Sequence, residues 1–212
     1  MTSSPTSSGI DSERDDTLDR ARELTLVPVF AGLVAALGVV PALTLPVGVP
    51  ITAQSLGVML AGAVLGARRG GLALLLFVAL VALGLPLLAG GRGGLGVFVA
   101  PSAGFVIGFP VAAYAVGWIT ERLGLPYRLL PGIASNLIGG VVVLYAFGVP
   151  GIALIGDVPL WTALTGSLPF LPGDIAKAVV VALVARGVHA AYPGLIPARR
   201  PAEKGPGDPA RG

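Results

Sequence analysis

Long uncharged apolar runs, separated by short basic clusters, constrain this chain more than any motif in it. Residues 24–67, 70–91, 93–120 and 129–156 hold no Asp, Glu, Lys or Arg. Crossing ~30 Å of hydrocarbon takes about 20 apolar residues in an α-helix, which satisfies its own backbone groups. Composition points the same way. Hydrophobic residues make up 54% of the chain and charged residues 12%, where a soluble domain carries roughly a quarter charged. Mean hydropathy is +0.87. The predicted fold class is an all-α integral membrane protein.

Six spans are predicted, over 26–45, 51–66, 71–88, 97–119, 130–147 and 174–192. Between the last two lies GVPGIALIGDVPLWTALTGSLPFLPG, residues 148–173. It is apolar but broken by Pro and Gly, and it reads as a re-entrant or interfacial segment before helix six. Residues 1–24 and 196–212 are polar and too poor in apolar area to fold alone, so they are expected to be disordered tails around a membrane domain of 25–195. The first tail is long and acidic, unlike the start of a signal peptide.

Orientation follows from Lys and Arg. With the N-terminus inside, Arg14, Arg20, Arg22, Arg68, Arg69, Arg122 and Arg128 fall on the cytoplasmic side. So do Arg186, Arg199, Arg200, Lys204 and Arg211, making twelve of the fourteen basic residues. This bias predicts a multi-pass protein of the cytoplasmic membrane with both termini cytoplasmic. The net charge of +3 and pI near 9.7 therefore report topology. They form no basic face with interleaved aromatics for nucleic acid.

Several function classes drop out. A chain with no Cys has no disulfide and no thiolate metal site. No GxxxxGK[ST] loop is present, so the chain hydrolyses no ATP of its own. An intramembrane enzyme would need paired acids, a nucleophilic Cys or a His cluster, and none is found.

Arg92 and Lys177 break the charge pattern, falling on the outer side with Asp157 and Asp174. Ionisable groups near membrane depth are costly and commonly mark ligand contacts or pathways. Asp174 and Lys177 are spaced i, i+3 and share a face if a helix starts near 174. LPFLPG before them supplies a helix stop and start, placing Asp174 as N-cap or first-turn acid. Either Asp174 caps the helix while Lys177 snorkels, or the two form a charge pair at a cavity mouth. Arg92 lies in AGGRGG. This is either an exposed flexible loop or a site where Gly91 and Gly93 let backbone approach a ligand and the guanidinium grips a carboxylate.

Thr52, Gln54 and Ser55 put polar side chains at the outer end of span two, for a neighbouring helix or for a ligand. Asn136 poses the same choice in span five. His189, the only histidine, has no acid or nucleophile near it in sequence and reads as interfacial. Ala31, Gly32, Ala35 and Ala36 give span one a small-residue surface on which a helix of the bundle, or of a partner subunit, can pack closely.

Three stretches taken together, VPITAQSLGVMLAGAVLG, LGLPLLAGGRGGLGVFVAPSAGFVIGF and LPFLPGDIAKAVVVALVA, resemble the BioY family. These are the membrane-embedded substrate-binding subunits of energy-coupling-factor (ECF) biotin transporters. The resemblance covers about residues 25–190. One departure is local: the family pattern after the arginine is closer to GPTGGY, and this chain has APSAGF at 100–105. The resemblance implies a six-helix bundle that binds biotin from outside. The bundle then associates with a transmembrane coupling subunit and two cytoplasmic ATPases, with biotin as ligand and no cofactor. It places Arg92, Asp174 and Lys177 in the biotin site. The alternative is a self-sufficient secondary carrier for a small carboxylated vitamin, which needs a coupling-ion site at mid-membrane. No predicted span carries an acid near its centre.

Overall fold

A computed structural model of the protein describes residues 7–40, 43–44, 50–124 and 126–196. It is a helical bundle. Helix α1 is Ser7–Leu37, α2 Gln54–Leu65, α3 Ala67–Ala82 and α4 Ala103–Leu123. One long helix follows, α5 (Leu129–Leu137) running through a π-turn at Ile138–Val143 into α6 (Leu144–Ile155). Helix α7 (Leu160–Ser167) passes through a 3₁₀ turn at Leu168–Phe170 into α8 (Leu171–Ala191). Leu43–Thr44 and Pro50–Ile51 pair antiparallel in a two-residue ladder between α1 and α2.

Among the described residues, three continuous helices are long and apolar enough to cross a membrane: Ala103–Leu123, Leu129–Ile155 and Leu160–Ala191. Helices α2 and α3, with 12 and 16 residues, reach about 18 and 24 Å at 1.5 Å per residue. They are joined by Gly66 alone, whose φ of +84° suits glycine. The Glu121 carboxylate of α4 accepts from Ala67 N at 2.7 Å, capping the start of α3. The core packs Met59, Leu74, Phe77, Val116 and Val181 against one another. A second cluster joins Val149, Ile152, Ala163 and Phe170. Helices α4 and α6 cross closely at Gly104 and Gly151, where a Cβ on either would strike the other's backbone.

Several predicted boundaries move. Helix α1 is already helical from Ser7, through residues whose composition suggests a tail. It stops at Leu37, short of 45, ahead of Pro41 and Pro46. Residues 95–99 form a 3₁₀ turn, so α4 starts at 103 and not at 97. The segment 148–173 is not a broken cap. Helix α6 continues through Pro150 to Ile155, the chain turns at Asp157 with φ +47°, and helix resumes at Leu160. In apolar surroundings a helix keeps its remaining hydrogen bonds, so a proline need not end it. Helix α8 begins at Leu171 with Pro172 in its first turn, where the missing N–H costs nothing. Residues 1–6 and 197–212 lie outside the described residues.

Candidate ligand-binding site

One cavity gathers three of the four outlying charges, Arg92, Asp174 and Lys177, while Asp157 stays exposed between α6 and α7. It opens at the end of the bundle where α2, α4 and α8 begin. Thr52, Gln54, Ser55, Arg92, Ser102, Tyr145, Asp174 and Lys177 give it polar groups, and Leu88, Phe105, Val106, Phe109, Leu144 and Phe170 give it apolar walls.

The polar groups form two sets. In the first, Lys177 Nζ donates to Asp174 Oδ1 at 3.0 Å, to Ser55 Oγ at 2.9 Å and to Thr52 O at 2.7 Å. Ser55 Oγ donates to Asp174 Oδ1 at 3.1 Å, and Tyr145 OH donates to Oδ2 at 2.8 Å. Three helices and Thr52, two residues before α2, thus meet at one ion pair. Its side chains keep 17% (Lys177) and 8% (Asp174) exposure, so pairing is what makes their burial tolerable. Asp174 lies in the first turn of α8 but caps nothing, since the helix has no side-chain cap. The capping alternative is therefore corrected. Its oxygens face other side chains because α8 starts three residues earlier than 174.

The second set centres on Arg92. Its Nε donates to Ala89 O at 3.2 Å and its Nη1 to the buried Ser102 Oγ at 3.0 Å. Among the described residues it pairs with no carboxylate. Burial pulls the guanidinium below its ordinary pKa, as expected for a cation losing water without gaining an anion. The loop that carries it is tied back on itself, with Leu88 N donating to Arg92 O at 3.0 Å and Gly91 N to Leu88 O at 2.9 Å.

Three sequence candidates take other roles. Gln54 is 1% exposed, and its amide is bound to backbone on all sides. Nε2 donates to Val34 O at 3.3 Å and Leu87 O at 3.0 Å, and Oε1 accepts from Ala89 N at 3.1 Å. It clamps the Arg92 loop onto α1 and α2. Gly91 and Gly93 are not in the cavity lining. Gly91 is exposed at φ +71°, and a Cβ on Gly93 would strike Leu85 O. Both shape the loop.

The small face of α1 divides as well. Ala31 is buried in the core and Ala35 half-buried, whereas Gly32 and Ala36 face outward, with open space at Gly32. Asn136 ties α5 to α8 through Ala178 O at 3.0 Å. His189 is buried against Ala63 O at 2.9 Å.

Sequence reasoning missed Tyr145, Ser102 and the aromatic wall. Phe105 stands edge-on to Tyr145 at 5.8 Å, with Phe170 at 6.4 Å. Tyr145 is the sole tyrosine in the uncharged run 129–156, which was the one available signal. Ser102 lies inside the APSAGF stretch that departs from the family pattern.

Residues 7–194 match the BioY family. The biotin transporter BioY of Rhodobacter capsulatus is 52% identical over 188 residues, covering 84% of this chain and 98% of that protein. The biotin transporter BioY of Rhizobium etli is 49% identical over 185 residues, with coverage of 84% and 98%. Among solved structures, the S-component for biotin from an ECF-type ABC transporter is similar, with TM-score 0.76 and 29% identity. That likeness covers 81% of this chain and 93% of the other. With a family match across most of its length and relatives spanned almost end to end, the chain belongs to the BioY family.

Proposed function

We propose that this chain captures biotin at the outer face of the cytoplasmic membrane, as the substrate-binding subunit of an ECF-type ABC transporter energised by ATPases in other chains. The observation that carries this reading is a half-buried arginine without a carboxylate partner, sharing one apolar-walled cavity with the Asp174–Lys177 cluster. Biotin is chemically complementary to that arrangement. Arg92, steadied by Ser102, takes the carboxylate. Asp174 accepts from the ureido N–H groups and Lys177 donates to the ureido oxygen. Phe105, Phe109 and Phe170 cover the apolar bicycle and chain. Every Lys177 hydrogen is already engaged, so the ligand displaces one of its partners rather than filling a vacancy.

Thr52 takes part through its main-chain carbonyl, while Gln54, Gly91 and Gly93 act by holding the loop. Six crossings with both termini cytoplasmic are supported by the bias of the basic residues. The membrane domain is 25–195, with 1–24 and 196–212 flanking it. The coupling subunit docks on the outward face of α1 around Gly32 and Ala36, with Ala31 and Ala35 behind. Two ATPase subunits complete the transporter.

Labelled-biotin uptake tests this reading. Purified chain should bind biotin unaided, and cells should accumulate it only when the coupling subunit and ATPases are co-expressed. Accumulation driven by an ion gradient in their absence would establish the secondary carrier instead.

A further inference from the structure

At the opposite end of the bundle a notch opens between the start of α5 and the last turns of α8. It is lined by Pro126, Tyr127, Arg128, Arg186, His189 and Pro193. Arg128 and Arg186 are exposed, and neither guanidinium has a partner among the described residues. Nearby arginines are engaged. Arg68 pairs with Glu23 at 3.3 Å, Arg69 donates to Leu195 O at 3.1 Å, and Arg122 lies 4.5 Å over the Trp118 ring.

The wall of the notch is polar and unsatisfied. His189, 6% exposed, must carry its proton on Nε2, because Ala63 O can only accept. Its Nδ1 is buried without a partner, as is the hydroxyl of Tyr127, whose ring stacks on the imidazole at 5.2 Å. Burial holds the Tyr127 phenol up at about 12, so it keeps its proton.

Toward mid-bundle the same helices expose apolar side chains. On α8, Val179 and Leu183 precede Arg186 and Ala190 at helical spacing, and all four are exposed. On the other side Leu130, Ala134 and Ile138 are exposed. Two guanidinium groups thus sit at the foot of apolar stripes. That is the profile of a phospholipid, charged at its head and apolar above. We propose that the notch holds the phosphate of an anionic phospholipid, whose acyl chains lie along these stripes. A free phosphate would use the arginines and leave the stripes without a role.

The test is native mass spectrometry on the full chain released from nanodiscs containing equal phosphatidylglycerol and phosphatidylcholine. Wild type should retain phosphatidylglycerol preferentially. Arg128→Gln and Arg186→Gln should each reduce that preference about fivefold, and the double variant about twenty-five-fold. Biotin binding at the far end, unchanged, would report that the variants fold. Arg122→Gln, elsewhere at this end, should keep the preference. The proposal fails if the double variant selects lipid as wild type does, or if Arg122→Gln loses the preference equally. It fails also if inorganic phosphate displaces the lipid. Equal retention of both lipids by wild type would overturn it in favour of an acidic segment of a partner subunit.

Discussion

The two ends of the bundle both bury charged and polar side chains, but they satisfy them differently. Away from the cavity several of them hold backbone atoms: Glu121 accepts from Ala67 N, Arg69 donates to Leu195 O and His189 donates to Ala63 O. Such contacts fasten one element to another. At the cavity, Asp174, Lys177, Ser55 and Tyr145 bind mainly one another, and Arg92 leans on Ser102. Side chains paired with side chains beside a void can trade a partner for a ligand at little net loss of hydrogen bonds. Gln54 is the exception that clarifies the rule, since it lines the cavity yet bonds only to backbone.

Substitution at Asp174 should give the largest effect. Asp174→Asn strips Lys177 of its counter-charge and halves the acceptor capacity that the proposed pose turns toward the ureido end. Leaving a buried cation without its anion costs about 3 kcal/mol, or roughly a hundredfold in affinity. Equilibrium binding should weaken alike for biotin and for a biotin amide, which share that end. If binding survives and only thermal stability falls, the cluster is a fastening like those at the other end.

Arg92→Ala follows. Loss of one charged hydrogen bond is worth about 1.5–3 kcal/mol, ten- to over a hundredfold. Here the two ligands should part, with biotin weakened strongly and the neutral amide much less. Equal losses would mean that Arg92 does not hold the carboxylate and that the ligand lies the other way round.

Gln54→Leu tests the exception. Three backbone groups lose their partner, and buried unsatisfied groups cost about 1–3 kcal/mol each before relaxation. The thermal midpoint in detergent should fall clearly. Affinity should drop less than for Arg92→Ala, and equally for acid and amide, because the loop loosens as a unit. A strong affinity loss at unchanged stability would make Gln54 a ligand contact.

These contrasts explain what could be read from the sequence. Arg92, Asp174 and Lys177 stood out because charge is scarce in this chain and each sits where the basic bias predicts none. Tyr145 and Ser102 did not, since a hydroxyl in or next to a membrane helix is cheap and can serve any neighbour. Gln54 could not be assigned from its own position. Its partners Val34, Leu87 and Ala89 lie 20 to 35 residues away, and only folding brings them together. The extent of α6 escaped for a similar reason. Pro150 reads as a breaker in isolation, whereas α4 packing at Gly104 and Gly151 keeps the helix intact past it.

The smallest effect belongs to the far end. Glu121→Gln keeps an oxygen able to accept from Ala67 N but removes the negative charge from the start of α3. A charge at a helix N-terminus contributes about 0.3–1 kcal/mol, and less as salt rises. The thermal midpoint should therefore fall slightly at low ionic strength, and the difference should shrink when salt is added. Biotin affinity should not change, because Glu121 reaches backbone only and no cavity residue contacts it. A matching loss of affinity would mean that the α2–α3 turn transmits strain along α2 to Ser55 and the Asp174 cluster. The two ends would then be one coupled device, and the distinction between fastening and exchangeable contacts would not hold.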